Sequence, residues 1–118
     1  VLDEAILALG AEAVGALSVL LDDTVEYSKT RKQFGVPIGS FQVLQHRMAD
    51  MFMALEQTRS LLLAATLKTV EGHEDARQAV HALKARIGGA GRHIAQEAVQ
   101  LHGGMGMTDE LAVVGLHT

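Results

Sequence analysis

Two short stretches of this chain gather groups that can hold an anion. One is Arg31-Lys32-Gln33-Phe34-Gly35, with Phe41-Gln42 close behind; the other is Gln100-Leu101-His102-Gly103-Gly104-Met105-Gly106. A guanidinium and side-chain amides can donate to phosphate oxygens, the charge-assisted bonds being worth about 1.5–3 kcal/mol each. Glycines let backbone N–H groups approach a bound group closely. Each stretch falls where a long helical pattern breaks, so both half-sites stand at helix ends. The pair suits the diphosphate of a cofactor.

Each stretch also has a plainer reading. Arg31 and Lys32 serve equally as solvated charges that favour the end of a helix dipole. Gly103–Gly106 serves equally as a glycine C-cap and turn. It is no dinucleotide fingerprint, because no strand precedes it, and no phosphate loop, because no Lys-Ser/Thr follows. Phe34 favours the functional alternative, since an aromatic ring in an exposed loop wants something flat or apolar beside it. Of the six His, none stands three or four residues from another and no Glu-x-x-His occurs, so no metal ligand set is predicted. His102, beside the glycines, is the one of interest. No Ser-His-Asp or Cys-His combination is predicted either, and the catalytic residue is left unassigned.

The elements that position these stretches are helices. From about Asp3 to Thr30, the residues Leu2, Ile6, Leu9, Ala13, Leu17, Leu20, Thr24 and Tyr27 predict one buried face. Asp3 is the expected N-cap, and Gly10 and Gly15 are expected at close helix contacts. Gly35, Pro37, Gly39 and Ser40 then interrupt the pattern. Ser40 is the expected cap of a second helix to about Val70, with Phe41, Leu44, Met48, Met51, Phe52, Leu55, Leu62 and Thr66 facing inward. Gly72 ends it, and Glu74 and Asp75 open a third helix. Its core face reads Val80, Leu83, Ile87, Ala90, Ile94, Ala98 and Leu101. Gly88, Gly89 and Gly91 interrupt propensity but not spacing, so the helix is expected to continue, with another backbone or a ligand close to them. After Gly106, Thr108 and Asp109 are expected to cap the start of a fourth helix. The prediction is all-α: an up-and-down four-helix bundle with three long helices and the start of a fourth.

Composition narrows the classes. The chain has 118 residues, 48% hydrophobic but 3% aromatic, one Pro, no Trp and no Cys. That length makes one domain, and that mix favours packed helices over sheets. A formal charge of −4 leaves no basic stripe for nucleic acid. The longest apolar candidate, 61–67, is far too short to span a bilayer. The absence of Cys excludes disulfides and thiolate chemistry and fits a reducing compartment. Both termini fall within helical patterns and no signal peptide opens the chain. Residues 1–118 are therefore expected to be one domain of a longer chain.

Tyr27-x-x-x-Arg31-Lys32-Gln33-Phe34-Gly35-x-Pro37-Ile38-x-x-Phe41-Gln42-x-Leu44-Gln45-x-x-x-Ala49-Asp50-Met51, together with Gln100-x-x-Gly103-Gly104-x-Gly106, closely resembles the acyl-CoA dehydrogenase family. The resemblance covers nearly the whole chain and is to the family's C-terminal four-helix domain. It implies FAD as cofactor. Arg31 would bind its pyrophosphate, with Lys32 and Gln33 alongside and Phe34 packing near it. Phe41 and Gln42 would meet the FAD at the second helix, and Gln100, Leu101, His102, Gly103 and Gly104 would contact its adenosine-diphosphate half. In this family such groups commonly reach a flavin held mainly by a neighbouring subunit, which implies a homo- or hetero-oligomer, dimer or tetramer. The implied reaction is α,β-desaturation of an acyl-CoA in fatty acid metabolism: a carboxylate removes the α-proton while hydride passes to the flavin, and an electron-transfer acceptor then reoxidises it. Where some members carry that carboxylate in the first helix, this chain has Ala5, with Glu4 one residue off. Ile6 stands where an arginine is often found. The resemblance further implies a cytoplasmic location in a bacterium, or the mitochondrial matrix in a eukaryote.

Three classes remain open on the residues. The first is the C-terminal domain of a flavin-dependent dehydrogenase, inactive by itself. The second is a non-catalytic helical dimerisation module, or a non-catalytic subunit of a hetero-oligomeric dehydrogenase. The third is an acyl-CoA oxidase or related flavoprotein.

Overall fold

The computed structural model describes residues 2–32 and 38–117, with side chains described for 2–30 and 42–103. It contains three helices, α1 (Leu2–Lys32), α2 (Ile38–Glu71) and α3 (Ala76–His117), and no strand among the described residues. They run up, down and up, so α1 and α3 are parallel and α2 is antiparallel to both. The longest dimension is 66 Å, close to the ~63 Å that the 42 residues of α3 span at about 1.5 Å per residue.

Residues at steps of three and four line the seam. On α2 these are Leu44, Met48, Met51, Leu55, Thr58, Leu62 and Ala65; on α3, Val80, Leu83, Ile87, Ala90, Ile94, Ala98 and Leu101. A repeat near 3.5 residues keeps one face turned to its neighbours along the whole length, as in coiled coils. The α3 face is the one expected. On α1 the face is Ile6, Gly10, Val14, Leu17, Leu21, Thr24 and Ser28, a partial correction. Leu2 and Leu9, expected inside, are 70% and 63% exposed, while Val14 and Leu21 take the inward positions. One residue of slip is about 100° of rotation, and Leu20-Leu21 and Ala13-Val14 offered the alternation no contrast. Phe52 is likewise exposed, because Met51 beside it fits the step to Leu55 and Thr58 and the two cannot both face inward.

The buried hydroxyls are satisfied locally. Thr24 donates to the Leu20 carbonyl (2.8 Å), Thr58 to Ala54 (2.8 Å) and Ser28 to Val25 (2.7 Å). Each returns its proton to the preceding turn, so a polar residue enters the core without an unmade hydrogen bond.

Gly72 ends α2 as expected, with φ of 71°. His73 N–H donates to the Lys68 carbonyl (3.0 Å) and Gly72 N–H to Thr69 (3.3 Å), the paired bonds of a Schellman motif. A Cβ at Gly72 would touch nothing within 4 Å, so Gly72→Ala isolates backbone strain. It should cost about 1–2 kcal/mol, read from urea unfolding. Across the same turn Lys68 Nζ donates to Asp75 Oδ2 at 2.5 Å. That hydrogen bond holds the Asp75 carboxyl below its ordinary value of 3.8. Because the folded-state value is the lower one, the stabilisation is complete above the unfolded pKa and fades as pH falls through the folded one. Asp75→Asn should therefore remove one component of acid unfolding below about pH 4, leaving the neutral range to differ by a constant offset.

Further expectations are corrected. Ser40 lies inside the first turn of α2, which begins at Ile38. The break at Gly103–Gly106 and the separate fourth helix capped by Thr108 and Asp109 are absent: α3 is continuous through Gly106 to His117. A glycine in a helix costs about 1 kcal/mol, a preference rather than a prohibition, and α3 already absorbs Gly88, Gly89 and Gly91. Those three have no backbone against them. Gly88 has only Arg92 Nη1 at 3.8 Å from its Cβ position, and Gly89 and Gly91 have nothing within 4 Å. Gly10 meets the expected close contact, whereas Gly15 does not.

By length and composition, α1 over Leu2–Thr30 is apolar enough to cross a membrane, although no single run in the sequence is. The core helix of a bundle passes the same test, and the inward face of α1 packs against α2 and α3.

Candidate functional site

The end of the bundle where α1 finishes is also where α2 starts and where α3 passes with residues 97–103. Two side-chain clusters join the helices there. On α1 and α3, the rings of Tyr27 and His102 lie 4.6 Å apart between centroids, tilted by 30°, within the range of favourable offset stacking. Thr24 Oγ1 is 3.3 Å from His102 Nε2. The single Thr24 hydroxyl proton goes to the Leu20 carbonyl, so in this contact Nε2–H is the donor and the hydroxyl oxygen the acceptor. On α2 and α3, Arg47 forks onto Glu97, Nε to Oε2 at 2.7 Å and Nη2 to Oε1 at 3.2 Å. Arg47 Nη2 also donates to Gln100 Oε1 at 2.6 Å.

These clusters locate the expected site residues. Arg31 and Lys32 are the last residues of α1; Arg31 stands four residues past Tyr27, about 6 Å along the axis. Gln33 and Phe34 lie outside the described residues, as do the side chains of Arg31, Lys32 and Phe41. Phe41 falls in the first turns of α2, and Gln42 is exposed five residues before Arg47. Gln100 is exposed, with its carbonyl oxygen occupied by Arg47. Leu101 is 2% exposed and packs in the main core; its side chain holds the turn from the inside. His102 is half-buried against α1. Gly103 is exposed, and no described residue lies within 4 Å of where its Cβ would stand. Gly104 continues the α3 backbone. Thus α1, α2 and α3 bring their motif-bearing segments to one end.

Several features fit a nucleotide diphosphate there. The first turns of α2 present N–H groups without partners inside the helix. Lys29, Arg31 and Lys32 put positive charge at the end of α1, although Lys29 is paired with Glu26 at 3.2 Å. Beside Gln100, no described residue lies within 4 Å of the Gly103 Cβ position. Arg47 and Glu97 carry no mark in the sequence as parts of this end, and Thr24 is marked there only as a core-face residue. Glu97 and Gln100 share a face by their spacing of three, but the Arg47 partner is fifty residues away in sequence and only packing pairs them.

The chain belongs to the acyl-CoA dehydrogenase family: residues 2–118 match its C-terminal domain. Among curated proteins it is similar to acyl-CoA dehydrogenase IpdE2 of Mycolicibacterium smegmatis, 43% identical over 110 residues, covering 92% of this chain and 33% of that protein. It is 38% identical over 112 residues to a short-chain-specific acyl-CoA dehydrogenase of Megasphaera elsdenii, covering 95% and 29%. With the probable acyl-CoA dehydrogenase YngJ of Bacillus subtilis the identity is 35% over 112 residues, again 95% and 29%. The chain spans about a third of the length of these relatives. No solved structure matches it significantly.

Proposed function

We propose that this domain supplies FAD contacts and a subunit interface to a flavin-dependent acyl-CoA dehydrogenase that desaturates an acyl-CoA thioester between its α and β carbons. The observation that carries this reading is the convergence of the end of α1, the start of α2 and the 97–103 segment of α3 at one end of the bundle. Arg31 would hold the pyrophosphate, with Lys32 and Gln33 beside it and Phe34 packed near the cofactor. Phe41 and Gln42 would approach it from α2. Gln100, His102, Gly103 and Gly104 would face the adenosine-diphosphate half, with Leu101 fixing their turn from the core. When bound, FAD supplies the acceptor for the β-hydride.

The general base is unassigned. Glu4 and Ala5 are exposed, Ile6 is buried in the core, and the half-buried Asp3 is paired with Arg77 of α3 at 3.7 Å. An electron-transfer acceptor, a homo- or hetero-oligomer sharing the flavin, and a cytoplasmic or mitochondrial-matrix location accompany this proposal.

Arg31→Ala in the intact protein tests it. Loss of one charge-assisted contact to a diphosphate should raise the FAD dissociation constant roughly ten- to hundredfold, with helicity by circular dichroism unchanged. Unaltered flavin occupancy would remove Arg31 from the site. An intact protein that never takes up flavin would favour the non-catalytic helical module.

A further inference from the structure

The geometry points to Arg47 as a positioning residue that aims the Gln100 amide nitrogen at the adenosine-diphosphate half of the cofactor, an inference that rests on the proposed FAD site. A guanidinium carries only donors. The Gln100 atom 2.6 Å from Arg47 Nη2 must therefore be its carbonyl oxygen, which settles by chemistry an orientation that an amide otherwise leaves ambiguous. The two N–H donors of Gln100 then point away from Arg47, on an exposed face of α3 where no described residue lies within 4 Å of the Gly103 Cβ position.

The Arg47 side chain is 39% exposed, but its charge is already matched. Its fork onto Glu97 uses Nε and Nη2, pairs its charge and limits its rotation, and the Glu97 side chain is only 19% exposed. Glu97 thus anchors Arg47, and Arg47 holds Gln100. The outcome at the α3 turn is a neutral, oriented donor that suits a phosphate or ribose oxygen and disfavours a ligand group that must donate.

Gln100→Glu separates the two ends of the side chain. It keeps an oxygen for Arg47 and replaces the outward NH2 with a second oxygen, so the apoprotein should melt no lower than wild type. FAD binding, titrated into apoprotein by flavin fluorescence, should nevertheless weaken more than about tenfold. Arg47→Met should weaken FAD about tenfold, and Gln100→Leu in that background should add little, because the two act through one contact. Arg47→Lys, which keeps the charge without the fork, should fall between wild type and Arg47→Met.

A wild-type dissociation constant in Gln100→Glu overturns the inference. So do independent, multiplying effects of Arg47→Met and Gln100→Leu, or FAD loss that merely follows a lowered apoprotein melting temperature across all these variants. If Arg31→Ala loses FAD while the Arg47 and Gln100 variants keep it, the FAD site stands and the role of Arg47 falls. If the wild-type intact protein takes up no FAD, both fall.

Discussion

Leu83→Ala should lower the unfolding free energy by about 3–5 kcal/mol, measured by urea unfolding of the intact protein followed at 222 nm. Leu83 is fully buried and packs with Ile6, Ala65 and Val80 where the three helices meet. Its Cδ2 lies 3.3 Å from the position a Cβ would occupy on Gly10. The cost of truncation depends on how far the neighbours can relax into the vacated volume. Beside Ile6 on α1, Gly10 faces Leu83 with no side chain to move in, so at that point the cavity should persist and the loss should sit high in the usual range. Adding Gly10→Ala to Leu83→Ala should recover part of it, because the new methyl enters the space Leu83 left. A loss under about 1 kcal/mol for Leu83→Ala would show that this junction is not tightly packed.

Gly10→Leu should be the opposite error at the same place, costing about 3 kcal/mol through overpacking. A Cβ alone at Gly10 would come within 3.1 Å of Ile87 Cδ1 and 3.2 Å of Leu62 Cδ1. Those are the mobile ends of side chains, so Gly10→Ala by itself is expected near neutral, its tight contacts offset by about 1 kcal/mol of helix propensity. A whole isobutyl group has no such escape, since α2 and α3 close the position from two sides. Gly15 is the control. It is exposed with nothing within 4 Å of its Cβ position, and Gly15→Ala should raise stability by about 0.5–1 kcal/mol. Equal responses at the two positions would contradict the packing of α1.

Glycines 10 and 15 mark how far the sequence reached. Both interrupt the same helical pattern, and nothing local distinguishes them. Gly10 sits at the three-helix junction and Gly15 faces outward because the α1 seam runs through Ile6, Val14 and Leu21 rather than through Leu2 and Leu9. Leu-Leu and Ala-Val neighbours give hydrophobicity no contrast from which to choose between faces about 100° apart. The α3 seam was legible because a polar or charged residue adjoins each of Val80, Leu83, Ile94 and Leu101: His81, Lys84, His93 and Gln100. The C-terminal part of α3 misled for a different reason: Gly103, Gly104 and Gly106 lower helix propensity, a weak local term that did not end the helix.

The same division holds at the candidate site. Residue types and order were enough to mark Arg31, Gln100 and Gly103 as groups suited to an anion, to place Arg31 at a helix end, and to set the chain in an all-helical class. Those properties are chemical or periodic, and each is carried by residues near one another in the chain. What needed the folded helices was the meeting of His102 with Thr24 and Tyr27, the fork of Arg47 onto Glu97, and the direction in which the Gln100 amide is held. Those contacts join residues fifty or more positions apart, and no local preference encodes them. They arise only when the seam residues of three helices lock in register and bring distant side chains within hydrogen-bond reach.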